Sequence, residues 1–250
     1  MAGLNAIVIG KELPESSDIE LRLLQINCHL KCYAHDLVNT MSRIHQLKGE
    51  LDLVLILIQD GDEFWTLEAA NAIRESYSFP ILFILHTINS DAIAEEIRGN
   101  RYACFMSHQL RGRILLALED SYRQLLPEDR YEINQHQKYF FLRDSVVYIA
   151  YNNVVKITFD DIRYLVKKES GIELYTTAEK HDLKISQGLM AKQIQKPYFV
   201  YCQEGILINV KLVDSFTKDL LTIGGQEVPM QEPYREQVFN MFRIFDQYNT

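Results

Sequence analysis

Four neighbouring side chains in the first part of the chain could bind a metal ion. Cys28, His29, Cys32 and His35 carry the sulfur and nitrogen donors that zinc prefers. Their spacing fits no common zinc motif, and no second cysteine–histidine pair follows them. Buried structural thiols beside a helix end are the simpler interpretation. We therefore expect no metal site here and no cofactor.

Enzymatic chemistry is not indicated by the other motifs. The sequence contains no P-loop, nucleophile elbow or dinucleotide-binding glycine pattern, and no paired catalytic carboxylates on a recognisable scaffold. Its four cysteines are scattered, which is not typical of a disulfide framework. We expect a protein that is not an enzyme and that keeps free thiols in a reducing cytoplasm.

Composition predicts a chain with room for two domains. It has 250 residues, of which 47% are hydrophobic, enough to bury a proper core. No apolar run reaches the roughly 18 residues that span a bilayer. The first residues lack the basic and apolar regions of a secretory signal. We expect a cytoplasmic protein without a membrane partner.

The first half of the chain alternates apolar runs with helical patterns. Apolar runs predict strands over 6–9, 51–58, 80–85 and 102–106. Helical spacing predicts helices over 17–27, 36–47, 65–77, 90–98 and 110–126. This alternation of four located strands with five helices favours a doubly wound parallel sheet of five strand–helix units.

Residues 4–126 resemble a response-regulator receiver domain in pattern and order. Glu12-Leu13-Pro14 after the first strand and the segment from Asp52 to Leu57 resemble the family's framework. The resemblance implies a flavodoxin-like fold and, in the family, phosphoryl transfer to an aspartate. That reaction needs acidic residues that hold Mg²⁺, a carboxylate nucleophile, a hydroxyl and a lysine.

The residues at these family positions cannot do that chemistry. Gly10 and Lys11 replace the acidic pair, Leu57 the nucleophile, Leu85 the hydroxyl and Ser107 the lysine. A leucine cannot attack phosphorus, and a lysine repels the cation. The resemblance therefore predicts a degenerate phosphorylation pocket and a pseudo-receiver.

Other residues could still line the vacant pocket. Asp60 and Asp62 follow the third strand, and a register slip could bring one of them inward, although ordinary acidic loop residues are the simpler interpretation. His86 and His108 lie at strand ends, where lone histidines are usually structural.

A polar segment over 127–137 separates the alternating strand and helix patterns before it from the strand-rich pattern after it. It predicts a linker between domains 1–126 and 138–250. The second domain is strand-rich. Predicted strands cover 139–142, 146–151, 154–158, 163–167, 172–177, 183–186, 198–201, 206–210 and 220–223, with helices over 187–195 and 234–245.

Residues 138–250 resemble the LytTR DNA-binding domain, a compact β-rich fold. The likeness rests on residues 140–144 followed by 156–165, on the stretch from Tyr198 to Val210 and on the turn from Gly225 to Pro229. The resemblance implies a DNA partner. Lys167 and Lys168 fall at the family's first recognition loop and are candidate phosphate contacts, although a solvated pair beside Glu169 is the alternative.

Further candidate DNA contacts are Tyr201, Gln203 and Asn209, of which Asn209 alternatively fixes a turn. Elsewhere the resemblance is weaker. Where the family presents basic and hydroxyl residues, this chain has Glu204 with Gly205, and Gln231 with Glu232. Carboxylates at those positions would repel the phosphate backbone.

These observations lead to two functional hypotheses. The first is a transcription regulator that binds DNA independently of aspartyl phosphorylation. Its receiver-like domain could form a homodimer through a stripe on the last predicted helix of that domain (Leu110, Ile114, Ala117, Leu118 and Leu125), unless the stripe packs on the sheet. The second is a protein-interaction adaptor with a decayed DNA surface. Residues 1–137 carry a net charge of −8 and residues 138–250 carry none, whereas DNA-binding domains are typically basic.

Overall fold

The computed structural model describes residues 3–10, 16–47, 49–58, 63–85, 95, 97, 99, 102–106, 110–135, 137–150 and 153–246. The chain forms two compact units. The N-terminal unit comprises residues 2–131 with 148–156, and the C-terminal unit comprises 132–147 with 157–250. Residues 127–137, the predicted linker, contain the 3₁₀ turn Glu128–Arg130 and the strand Tyr131–Ile133. The predicted domain boundaries stay a prediction.

The N-terminal unit contains alternating strands and helices. Its described elements are β1 (Leu4–Ile9), α1 (Ser16–Leu24), β2 (Cys28–Ala34), α2 (Leu37–Leu47), β3 (Leu53–Ile58), α3 (Glu63–Ser76), β4 (Ile81–Leu85), β5 (Ala103–Met106) and α4 (Leu110–Leu125). The predicted helix over 90–98 falls mostly outside the described residues. No helix in the described part of the chain is long and apolar enough to span a membrane.

The five strands form one parallel sheet in the order β2-β1-β3-β4-β5. This is the strand order of flavodoxin-like doubly wound folds. Because such a sheet is covered on both faces, its central strands are apolar throughout, and all six residues of β3 are buried. The α/β fold class predicted for this half is confirmed.

Helices cover the sheet with their apolar sides. Residues of α2 and α3 pack against Ile56 and Ile58 in one core cluster. On α4, Ile114, Ala117 and Leu118 are buried, and the helix contacts β4 and β5. The proposed dimer stripe is therefore largely occupied within its own unit, as the packing alternative predicted.

The edge strand β2 was not located by its sequence pattern. It contains both Cys28 and Cys32. The sequence analysis expected these thiols beside a helix end, and this expectation was wrong because both residues lie in a strand. Burial, with a smaller contribution from Asp52, raises the pKa of the Cys28 thiol to about 12. That thiol is therefore protonated and unreactive at neutral pH.

Residues 148–156 pack as part of the N-terminal unit. The backbone N–H of Val154 donates to the carbonyl of Ile26, and the side-chain amide of Asn27 donates to the carbonyl of Val154. Lys156 forms an ion pair with the buried carboxylate of Asp52, which also accepts a hydrogen bond from the Asn5 backbone. These contacts hold the segment in place through partners that are more than 100 residues distant in the sequence.

The rest of the chain is rich in strands. Its elements are β6 (Tyr131–Ile133), β7 (Gln137–Phe141), β8 (Ser145–Ala150), β9 (Asn153–Thr158), β10 (Ile162–Lys168), β11 (Gly171–Thr176), β12 (Lys180–Leu183), α5 (Gln187–Ile194), β13 (Phe199–Gln203), β14 (Ile206–Asn209), β15 (Val213–Phe216), β16 (Leu220–Ile223), β17 (Gln226–Pro229) and α6 (Arg235–Asp246). The sheets have the orders β6-β7-β8-β9, β12-β11-β10-β14-β13 and β15-β16-β17.

The five-stranded sheet of the C-terminal unit is antiparallel. Side chains on one of its faces, among them Tyr164 and Ile208, form a core with β16, β17 and Val238 of α6. Along β11 buried and half-buried residues alternate, as expected for a strand with one face in a core. The prediction of a β-rich second half is confirmed.

Candidate DNA-binding surface

Three chain segments meet at one end of the five-stranded sheet in the C-terminal unit. The backbone N–H of Lys167, near the end of β10, donates to the carbonyl of Gly205 at 2.7 Å. Beyond β17, the N–H of Gln231 donates to the carbonyl of Cys202 at 2.9 Å, and the Gln231 side chain accepts from the N–H of Glu204 at 3.4 Å. The structure therefore brings together the segments in which the sequence analysis placed the DNA contacts. We call this end the hairpin-end surface.

The turn between β13 and β14 depends on glycine. Glu204 and Gly205 alone connect the two strands, and Gly205 has a φ of +78°, which side-chain-bearing residues rarely adopt. A Cβ atom at Gly205 would also lie 3.2 Å from the Cβ of Lys167. The close approach of this turn to β10 holds the Lys167 backbone in place.

Lys167 and Lys168 are both exposed, but their surroundings differ. The Lys168 ammonium group forms an ion pair with Glu173 at 3.1 Å. Lys167 makes no ion pair with any residue that the structure describes. Because alternate residues of a strand face opposite sides of the sheet, the two side chains point in opposite directions. Lys167 is the more available of the two for a phosphate group.

Lys184 is a third lysine at the same end, and the sequence analysis missed it. It directly follows β12, whose Leu183 pairs with Ile172 of β11. Its ammonium group donates to the hydroxyl of Ser170, in the turn after Lys168, at 3.2 Å. The Tyr139 hydroxyl accepts a hydrogen bond from the Lys184 backbone N–H at 2.6 Å. The sequence analysis predicted a strand over 183–186 and so placed Lys184 inside a strand, whereas the strand ends at Leu183.

The carboxylate of Glu173 joins Lys168 to a small polar cluster on the sheet. It lies 2.7 Å from the ammonium group of Lys180 and accepts a hydrogen bond from the Tyr175 hydroxyl at 3.0 Å. The Tyr175 ring stacks on that of Tyr164. Hydrogen bonding to Lys180, followed by Lys168 and Tyr175, lowers the Glu173 pKa from 4.5 to about 2. The carboxylate is therefore ionised throughout the neutral range.

Tyr201 and Gln203 lie on β13 at the hairpin-end surface and are half-buried. Tyr201 pairs with Leu207, and Gln203 pairs with Ile206 after an irregularity in the register. Burial, followed by the neighbouring Tyr234, raises the pKa of the Tyr201 phenol. Tyr201 is therefore a neutral hydrogen-bonding group at physiological pH.

Asn209 does not lie on the exposed surface. Its side chain is 1% exposed, donates to the carbonyl of Ile162 at 3.0 Å and accepts from the N–H of Lys211 at 3.1 Å. Both polar ends are therefore used within the unit. Its placement corrects the candidate list: Asn209 fixes a turn, which was the alternative interpretation.

Acidic side chains interrupt the hairpin-end surface. Glu204 and Glu232 are both exposed. Arg235, at the start of α6, forms an ion pair with Asp219 and lies 3.9 Å from the Glu232 carboxylate. Its side chain is only 19% exposed. The sequence analysis did not single out Arg235, and an arginine three residues after Glu232 is too weak a signal to find it.

The positions of the degenerate phosphorylation pocket are apolar where the structure describes them. Leu57 is 4% exposed, and a Cβ atom added to Gly10 would lie 3.0 Å from the Leu57 Cβ. The Gly10 carbonyl accepts a hydrogen bond from His35 Nδ1 at 2.9 Å. The Leu57 side chain therefore crowds the position of Gly10.

The structure does not bring Leu85 to Leu57. Leu57 pairs with Ile84, and Leu85 pairs with Ile58 and belongs to the core cluster under α2 and α3. Successive residues of a strand face opposite sides, so Leu57 and Leu85 are on opposite faces of the sheet. This corrects the predicted pocket. Lys11, Ser107, Asp60, Asp62, His86 and His108 lie outside the described residues.

The fold and this surface define a two-unit chain with a flavodoxin-like α/β unit and a β-rich unit of DNA-binding type. Residues 152–243 match the sequence model of the LytTr DNA-binding domain, and this part of the chain is a LytTR domain. The recognition made from the sequence is confirmed for this domain. No curated protein matches the chain.

Similar solved structures include both kinds of domain. A LytTr DNA-binding domain from Bacillus cereus is 18% identical, with 39% of this chain and 95% of that chain covered and a TM-score of 0.36. The RcsB response regulator of Salmonella typhimurium is 16% identical over 51% of this chain and 65% of that one (TM-score 0.38). The response regulator domain of Thermotoga maritima CheB is 16% identical, with 49% of this chain and 96% of that chain covered and a TM-score of 0.36.

Proposed function

We propose that the chain is a non-enzymatic transcription regulator that binds duplex DNA through its LytTR domain and works without aspartyl phosphorylation. The match of residues 152–243 to the LytTr DNA-binding domain carries the proposal. The convergence of three chain segments on the hairpin-end surface supports it, because the same segments carry the candidate contact residues.

Phosphate binding at this surface would depend on lysines from neighbouring strand ends. Lys167, Lys168 and Lys184 are exposed there. Lysine contacts to phosphate supply most of the sequence-independent affinity of DNA-binding proteins and make that affinity salt-dependent. Tyr201 and Gln203 add hydrogen-bonding groups that could position the domain or read a base edge.

Independence from phosphorylation is supported by the apolar pocket of the N-terminal unit. Leu57 has no oxygen that could attack a phosphoryl group, and it is buried. Glycine at position 10 has no carboxylate that could hold Mg²⁺, and a side chain there would crowd Leu57. The acidic N-terminal half would then act by binding a partner protein or a second copy of the chain.

The test is binding of the purified chain to a pool of random duplexes across 50–200 mM salt, a range in which phosphate contacts lose much of their affinity. We expect sequence enrichment and a steep salt slope. Lys167→Ala and Lys184→Ala should each flatten the slope by about one. Lys192→Ala, which removes an exposed lysine of α5, is the matched control and should leave the slope unchanged.

The second candidate function is a protein-interaction adaptor. The exposed carboxylates of Glu204 and Glu232 on the hairpin-end surface favour it, because buried or close carboxylate–phosphate contacts are strongly repulsive. Absence of both enrichment and salt-dependent affinity would exclude the DNA-binding regulator and leave the adaptor.

A further inference from the structure

Glu173 occupies the centre of a set of groups that suit a phosphate. The ammonium groups of Lys168 and Lys180 lie 3.1 Å and 2.7 Å from its carboxylate oxygens, and the Tyr175 hydroxyl donates to it at 3.0 Å. Two ammonium groups and one hydroxyl form an arrangement of donors that binds a phosphodiester in the same way as a carboxylate. A side chain of the protein itself fills that arrangement.

The cluster is continuous with the hairpin-end surface. Lys168 pairs with Gly171 at the closed end of the β10–β11 hairpin, and Glu173 lies two residues further along β11 on the same face. A DNA backbone that contacts Ser170, in the turn that closes this hairpin, would therefore pass beside Lys168 on the face of the sheet that carries Glu173, and Lys167 lies on the other face. Lys168 is the residue that both sites share.

We propose that Glu173 is an internal competitor for a DNA phosphate: it occupies Lys168, Lys180 and Tyr175, and a backbone phosphate binds these groups when the carboxylate swings away. The proposal rests on the proposed DNA-binding function. It adds Lys180 and Tyr175 to the contact surface and assigns Glu173 the role of limiting its affinity.

The charges explain why the competition matters. Asp182 lies directly opposite Glu173 on β12, so the two lysines face two carboxylates and the local charge is balanced. Removing the Glu173 charge leaves one net positive charge and frees both ammonium groups. A phosphate would then be attracted without displacing an anion.

The opposite role makes the opposite prediction. If Glu173 only orients the two lysines for phosphate, its neutralisation would disorder them and weaken DNA binding. The two roles therefore differ in the sign of the effect of Glu173→Gln, which keeps the size of the side chain and removes its charge.

The experiment compares the wild-type chain with Glu173→Gln and Glu227→Gln on one random-sequence duplex across 50–200 mM salt. Glu227 is an exposed carboxylate of β17, so its variant makes the same change of total charge away from the cluster. We expect Glu173→Gln to raise affinity about three- to ten-fold more than Glu227→Gln and to steepen the salt slope by about one. Equal effects of the two variants, or weaker binding by Glu173→Gln, would overturn the proposal.

A second substitution distinguishes a failure of the competitor role from a failure of the proposed DNA-binding function. Adding Lys180→Ala to Glu173→Gln should remove most of the gain, whereas adding Lys192→Ala should not. If Glu173→Gln does not fold, Lys180→Ala alone should lower affinity more than Lys192→Ala, and equal effects would overturn the proposal. If the wild-type chain binds DNA but the variants do not differ in affinity as expected, only the competitor role of Glu173 is rejected. Absence of binding by every variant defeats the DNA-binding function and the competitor role with it.

Discussion

At the scale of single residues, the close approach of Gly10 to Leu57 is a contact that a substitution can test. We predict that Gly10→Ala lowers the free energy of unfolding by about 1–3 kcal/mol, because the new methyl group would lie 3.0 Å from the Leu57 Cβ. Chemical unfolding of the full chain measures this change. Gly49→Ala is the control, since a Cβ atom there meets nothing within 4 Å.

A double-mutant cycle tests whether Leu57 is the cause. In the Leu57→Gly background the cost of Gly10→Ala should fall by about 0.5 kcal/mol or more, because glycine lacks the crowding Cβ atom that alanine would keep, and residues in contact couple by such amounts. Additive costs would show that Gly10 is required for another reason.

Glu173 gives a second prediction at this scale. Its folded-state pKa of about 2 is below its ordinary value of 4.5, so its interactions stabilise the fold above pH 4.5 and are lost as the pH falls towards 2. Carboxyl ¹³C shifts should give a Glu173 midpoint near 2, and Lys168→Ala with Lys180→Ala should move it towards 4.5. A wild-type midpoint near 4.5 would contradict the lysine contacts seen here.

At the scale of elements, α4 combines buried and exposed leucines in one helix. We predict that Leu118→Ala lowers the free energy of unfolding by about 2–5 kcal/mol, since Leu118 is completely buried. Leu116→Ala should change it by about 0.5 kcal/mol or less, because that side chain is 53% exposed. Chemical unfolding with sedimentation measures both. A Leu118→Ala chain of unchanged stability that lost a dimer would instead assign the stripe to a subunit interface.

The sequence predicted elements best where burial gives a regular pattern. The apolar run of β3 and the helical spacing of α4 were both recognised, because each is built around a continuous core contact. β2 was not located, since this edge strand mixes exposed and buried residues. β15 and β17 were missed for a similar reason: most of their residues are exposed.

The limits of prediction at the site follow from register. A strand was predicted over 183–186, but Ser186 caps α5 through a hydrogen bond to the Leu189 N–H, and β12 ends at Leu183. This three-residue displacement concealed Lys184. Asn209 was correctly assigned to a framework strand. Its buried side chain donates a hydrogen bond to the carbonyl of Ile162, a residue that is distant in the sequence and lies close only in the folded unit.

At the scale of the whole molecule, the charge distribution limits how DNA could be bound. The chain carries a net charge of −8, all of it in residues 1–137. Such a chain has no general attraction for a polyanion, so any affinity depends on local cations such as Lys167 and Lys184. This is why one lysine substitution should have a measurable effect on the salt slope.

The proposed independence from phosphorylation makes a prediction for the intact chain. After incubation with acetyl phosphate and Mg²⁺, we expect no phosphoryl adduct by intact mass and no change in the DNA-binding curve, because the buried Leu57 replaces the carboxylate nucleophile. A competent receiver protein treated in parallel shows that the donor is active. Asp60 and Asp62 follow β3 in the sequence and are the remaining carboxylates that could accept the phosphoryl group there. An adduct that is lost in Asp60→Asn or Asp62→Asn would therefore reject phosphorylation independence, while leaving the proposed DNA surface to be judged by its own salt dependence.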